Sequence, residues 1–161
     1  MLSVVFSGAK SFAKIRQGDK VREFVGVIDT HNKAVKLKPF KDKVIVVTFG
    51  ASWCAPCKKE LPALEKLAAK YVAGKKVVVI AVNIDNERAK GAAFMKAAGL
   101  SHVISAFDPK KSTVGLFDPP SMPSTFIIRH GMIRYLHSGY RKGDDKELDK
   151  LIAAEVATLS H

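Results

Sequence analysis

Two uninterrupted apolar runs constrain this chain most. Residues 43–49 read KVIVVTF and residues 77–84 read VVVIAVNI. Both are continuous rather than alternating, which suits strands covered on both faces. Between them, Leu61, Leu64, Leu67 and Ala68 recur at helical spacing, and Gly74 is a natural stop. Strand, helix and strand in this order argue for an α/β sheet with parallel central strands. Pro62 falls inside the helix and predicts a kink, because it lacks a backbone donor and crowds the preceding turn.

The remaining elements arrange themselves around that unit. Phe24–Ile28 (FVGVI) reads as a short strand, residues 29–33 (DTHNK) as a turn, and Ala34–Leu37 as the returning arm of an N-terminal hairpin. Asn86–Ala98 predicts a helix that Gly99 ends. His102–Phe107 predicts a strand, and Ser112–Phe117 a short helix broken by Asp118-Pro119-Pro120. Ser124–Ile128 and Met132–His137 flank His130-Gly131, a hairpin signal. A last helix carries Leu148, Leu151, Ile152 and Val156 on one face, with Asp144 or Asp145 as its cap. The expected fold class is α/β: a three-layer α/β/α sandwich with a mixed central sheet, an N-terminal hairpin and a central αβ insert. The expected organisation is a basic arm or helix over residues 1–17 and one domain over residues 18–161.

Composition narrows the function classes. The chain has 161 residues, 47% hydrophobic and 26% charged, enough for one domain with a real core. The net charge of +12 raises the question of a nucleic-acid partner. The lysines are spread along the chain, acids interleave with them as in DDKELDK, and no nucleic-acid recognition motif is present, so no such partner is expected. No apolar run has the length of a membrane helix. The N-terminal MLSVVFSGAKSFAKIRQG is basic and free of acids up to Asp19, but its apolar stretch is too short for a secretory core.

The chain has two cysteines, Cys54 and Cys57, in the stretch WCAPC. This stretch follows the first buried run and opens the helix. A helix start presents free backbone N–H groups and partial positive charge, so a thiolate at Cys54 is stabilised there. Lys58 and Lys59 follow in the first turn; they oppose the helix dipole yet favour an adjacent thiolate. Cys57 lies one turn on, within disulfide reach. Such a pair exchanges disulfides in two steps: one thiolate attacks a partner disulfide, and the second thiol resolves the mixed disulfide. Cys54 is the candidate nucleophile and Cys57 the candidate resolving thiol. Pro56 restrains the loop and fits the first helical turn. No histidine stands between the cysteines, which leans toward a reductant. Metal binding is the competing reading. Two cysteines do not complete a four-ligand zinc site, and none of His31, His102, His130, His137 and His161 stands at ligand spacing, so no metal is assigned.

On FKDKVIVVTFGASWCAPCKKELPALEKL, VVVIAVNID and MPSTFIIRHGMIRYLHSGY, the chain resembles the thioredoxin superfamily, and within it the TlpA/ResA-type thiol–disulfide oxidoreductases. The resemblance runs from about residue 18 to the end, and residues 86–118 match that subgroup's insert. It implies a thioredoxin-like fold and a cis Met122-Pro123 bond facing the cysteine pair. It also implies a substrate groove of Trp53, Ala55, Pro56, Met122 and Pro123 that takes a partner segment as an added strand. The implied activity is reduction of protein disulfides through Cys54 and Cys57, with no dissociable cofactor and with re-reduction by an upstream thiol system. Partner proteins, a monomeric state and a place outside the bacterial cytoplasm complete the expectation; a native start at Met1 would favour the cytoplasm. Alternatives are a copper or zinc metallochaperone on the same thiolates, a binding-only domain, and a thiol peroxidase. The peroxidase motif would need Thr and Pro where Ala51 and Val47 stand. The chain departs from thioredoxins at Thr48, where a buried acid is usual, at Ala81, where its lysine partner is usual, and at Gly50, where an aromatic residue is common. These departures leave the proton acceptor for Cys57 without a candidate.

Overall fold

The computed structural model of the protein describes residues 15–159. In chain order the elements are β1 (Ile28–Asp29), β2 (Val44–Gly50), α1 (Ala55–Tyr71), β3 (Val77–Asn83), α2 (Arg88–Ala97), β4 (Ile104–Phe107), α3 (Ser112–Phe117), β5 (Ser124–Arg129), β6 (Met132–Ser138) and α4 (Asp144–Thr158). Single 3-10 turns occupy Lys38–Phe40 and Val72–Gly74. One sheet holds the strands in the order β1-β4-β3-β2-β5-β6.

The two apolar runs become the parallel centre of that sheet, with Val44 opposite Val77 and Gly50 opposite Asn83. β4 extends it in parallel beside β3, while β5 joins β2 antiparallel and carries β6 by a hairpin. The hairpin turn places both His130 (φ 50°) and Gly131 (φ 73°) in left-handed backbone, as a tight turn matched to strand twist requires. Alternate side chains of β2 enter opposite cores. Val44 and Val46 meet Leu61 and Leu64 of α1 and Leu148 and Ile152 of α4. Ile45, Val47 and Phe49 meet Phe24, Phe117 and Phe126 on the other side. The three-layer α/β/α reading holds, with the second outer layer thin: α3 and the N-terminal segment form it. The expected insert is present as α2, β4 and α3.

Several local expectations change. The N-terminal hairpin shrinks to a single bridge, Ile28 to Ala34, and β1 pairs instead with β4. Gly26 at φ 71° breaks the extended run, and the Asp29 carboxylate closes the turn by accepting from the His31 and Lys33 N–H groups. After α1, Lys75 rather than Gly74 takes the left-handed conformation. Gly143, at φ 100°, caps α4, which begins at Asp144. The Asp144 carboxylate is engaged otherwise: it accepts from the Arg141 N–H and lies 3.0 Å from His137 Nε2. Most of the expected arm, residues 1–14, lies outside the described residues, as does His161. Ile15 is buried in the core, and the Gly18 N–H donates to the Ile133 carbonyl.

Candidate active site

Cys54 caps α1 in extended backbone, and its sulfur accepts from the Cys57 N–H at 3.3 Å. The two cysteines form a disulfide with their Cα atoms 5.3 Å apart. Both are largely covered, Cys54 5% exposed and Cys57 1%. The candidate nucleophile thus presents only a narrow opening in the oxidised form, and the inequality favours Cys54 as the sulfur a partner reaches. Trp53 beside it is 67% exposed, a large apolar surface with nothing over it. Ala55 and Pro56 are exposed on the first turn. Met122-Pro123 is cis. Ser124 pairs with Phe49, which sets Pro123 beside Gly50 and the start of α1. Pro123 is buried, and Met122 packs partly against the core.

The loop before Cys54 is tied down by Asp85 at the end of β3. Its carboxylate accepts from the Ser52 N–H (2.9 Å), the Ser52 hydroxyl (2.7 Å) and the Asn83 amide (2.7 Å). Burial works to raise the Asp85 pKa, but the Ser52 and Asn83 hydrogen bonds outweigh it and hold the carboxyl below its ordinary range. Asn83 and Asp85 thus do more than end a strand: they clamp Ser52, two residues from Cys54.

A buried acid near Cys57 that the sequence reading lacks is Glu60. It lies three residues beyond Cys57 on the same face of α1 and is only 1% exposed. Thr48 donates to one carboxylate oxygen at 2.8 Å, and Thr125 donates to the other. Thr48 therefore occupies the position of the usual acid and holds a carboxylate that arrives from the helix. Burial pushes the Glu60 carboxyl up from 4.5 to about 7, while the two threonine hydrogen bonds pull the other way. Thr48, Gly50, Cys57, Glu60 and Ala81 line one small cavity with about 10 Å³ of room for the centre of a water molecule, the lower edge of what holds one water. Ala81 leaves open the space a lysine would fill. The helical pattern carried a legible signal: a glutamate set among Cys57, Leu61 and Leu64 on the buried stripe breaks the polar-outside rule.

Gly50 has a geometric reason to lack a side chain. A Cβ there would stand 3.0 Å from Cys57 Sγ and 3.3 Å from its Cβ. Gly50→Ala should crowd Cys57 and slow resolution of a mixed disulfide about tenfold, on the order of the 1–3 kcal/mol that overpacking costs. Alkylation of reduced Cys54 by iodoacetamide should stay near the wild-type rate, while release of the partner thiol from a preformed Cys54 mixed disulfide reads the resolution step.

Glu60 also makes stability depend on pH. The carboxyl titrates near 4.5 unfolded and near 7 folded, so the native state holds the extra proton between those values. Stability is lost as pH rises through that window. Glu60→Gln removes the effect, so its stability relative to wild type should improve by up to about 3 kcal/mol from pH 4 to pH 9. Urea melts at both pH values check this, and a constant difference would contradict the raised pKa.

Other candidate ligands stand apart. His102 bonds Glu65, and His31 lies at an exposed turn beside Thr30. Among the described residues no group of three or more His, Cys, Asp or Glu side chains is placed to hold a metal ion, and no helix is long and apolar enough to cross a membrane.

The comparisons with known proteins meet this geometry. The Redoxin family model matches residues 16–152. The thiol-disulfide oxidoreductase ResA of Bacillus subtilis (strain 168) is 30% identical over 126 residues, covering 78% of this chain and 67% of that protein. ResA of Bacillus thuringiensis (strain Al Hakam) is 29% identical over 138 residues, covering 80% and 78%. Among solved structures, a putative thiol:disulfide interchange protein DsbE from Chlorobium tepidum superposes with a TM-score of 0.81 at 33% identity, covering 89% of this chain and 99% of that one.

Proposed function

The chain belongs to the Redoxin family and is a thiol–disulfide oxidoreductase of the ResA-like kind, and we propose that it works as a reductase of protein disulfides, with Cys54 attacking and Cys57 resolving. The observation that carries this reading is the buried Glu60 carboxylate in one cavity with Cys57. It gives the resolving thiol a base and leaves the attacking thiol to the helix start.

The reduced protein begins with both thiols free. The Cys54 thiolate, favoured by the N–H groups opening α1, attacks one sulfur of the partner disulfide. That S–S bond breaks, Cys54 joins the partner in a mixed disulfide, and the other partner sulfur leaves as a thiolate that takes up a proton. Glu60 then accepts the Cys57 proton, directly or through one water. The Cys57 thiolate attacks Cys54 Sγ, the partner's second sulfur leaves, and the Cys54–Cys57 disulfide forms. Two electrons pass to the partner, and an upstream dithiol returns them. A base with a pKa near the working pH suits this proton transfer. Trp53, Ala55, Pro56, Met122 and Pro123 form the groove for the partner's extended segment. The reading requires no bound cofactor.

Insulin reduction with dithiothreitol as the electron source tests the proposal. Catalysis above the uncatalysed rate that disappears in Cys54→Ser is expected. A wild-type rate equal to background would sink it.

A further inference from the structure

A groove of about 640 Å³ lies between α1 and the loop that follows β6, outside the disulfide-exchange centre. Its lining is strongly basic: Lys59, Lys66 and Lys70 from the helix face Arg141 and Lys142 from the loop, with Asp145 as the acid in the lining. Two of these cations are already engaged. Lys70 pairs with Asp149 at 2.5 Å, and Arg141 acts on Asp144. Lys59, Lys66 and Lys142 are exposed and form no ion pair among the described residues. Pro62 and Leu67 give the groove an apolar floor.

Both walls run from the exchange centre. α1 begins beside Cys54. The loop begins at Gly139, whose N–H donates to the Pro123 carbonyl at 2.8 Å, and the preceding Ser138 hydroxyl lies 2.6 Å from that of Ser121. A segment leaving the cysteine pair along this face therefore passes between unpaired ammonium groups. We propose that the groove seats an acidic, extended stretch of the partner protein flanking the disulfide under attack. This deepens the reductase reading and rests on it.

Concavity favours a polypeptide over a lipid surface, because a flat layer of headgroups does not enter a groove with an apolar floor. Spacing follows from the helix. Lys66 is twelve residues beyond Cys54, about 18 Å at the rise of an α-helix, which an extended chain spans in about five or six residues. Carboxylates that far from the reactive cysteine meet Lys66 and Lys142. The paired charges lower KM more than they alter kcat, and salt screens them.

The test uses disulfide-bonded peptides carrying three glutamates about five to seven residues from one cysteine, on either flank, against the same peptides with glutamine. At low salt the wild type should show kcat/KM about tenfold higher for the better-placed acidic peptide, mostly through KM. The preference should shrink near 0.5 M sodium chloride, where the screening length is only a few ångströms. The double variant Lys66→Glu/Lys142→Glu should lose or invert the preference while reducing the glutamine peptide at the wild-type rate, which also shows that it folds. Equal rates on acidic and neutral peptides by the wild type would overturn the proposal, as would a variant that loses both substrates alike. So would a variant that keeps the peptide preference and loses binding to phosphatidylglycerol vesicles, which would assign the lysines to lipid. Failure of the wild type on every peptide would instead strike the reductase reading, and the groove's role with it.

Discussion

Cys57→Ser should turn the protein into a trap. Mixed with a disulfide-bearing partner, the reduced variant forms a Cys54-linked adduct that persists on non-reducing gels, and catalysed insulin reduction falls by about a thousandfold or more. The cause lies in the order of attack. Cys54 is the more accessible sulfur and sits on the N–H groups at the start of α1, whereas Cys57 is 1% exposed and faces the interior. Serine at position 57 keeps the shape and removes the nucleophile that breaks the mixed disulfide. Cys54→Ser should lose as much turnover and form no adduct. Adducts through Cys57 in that variant would reverse the assignment. Mass spectrometry of the alkylated species distinguishes the two outcomes.

The second large effect is at Glu60. Glu60→Gln preserves the bulk and keeps one threonine donating to its amide oxygen while its NH2 turns to the other hydroxyl, but it accepts no proton at working pH. Resolution of the mixed disulfide should slow by about a hundredfold, the lower range for loss of a general base. In the wild type the resolution rate should rise with pH through an inflection near 7, because burial raises the Glu60 carboxyl to about 7 and the base works deprotonated. In Glu60→Gln that inflection should vanish. The first attack by Cys54 should change little, which separates a lost base from a disturbed helix. An unchanged pH profile for resolution would remove Glu60 from the mechanism.

What the sequence made legible follows from how local each signal was. KVIVVTF and VVVIAVNI are long enough, and WCAPC placed enough, that strand, turn and active-site helix could be read with the cysteine order already assigned. The hairpin at His130-Gly131 was legible for the same reason: its turn chemistry sits in two adjacent residues. β1 was overread because FVGVI has strand composition, while Gly26 and the Asp29 turn settle its path. The cap of α4 was misassigned because Asp144 satisfies Arg141 and His137 instead, a contact set by tertiary placement. Glu60 was missed for a different reason. The usual acid belongs to the strand, at position 48, whereas here the carboxylate reaches the same place from α1. Only the packing of helix on sheet brings Thr48, Thr125 and Glu60 together.

The direction of electron flow is the central claim, and the reduction potential of the Cys54–Cys57 couple tests it most directly. Ala55 and Pro56 place no cation between the sulfurs, and a buried carboxylate in the same cavity as Cys57 disfavours a thiolate there, so the reduced form gains no stabilisation beyond what the start of α1 and its lysines give Cys54. Equilibration against glutathione or dithiothreitol buffers should therefore give a potential of about −230 mV or lower, in the range of reducing thioredoxin-type pairs. A value near −120 mV, that of a strongly oxidising pair, would contradict the reductase assignment.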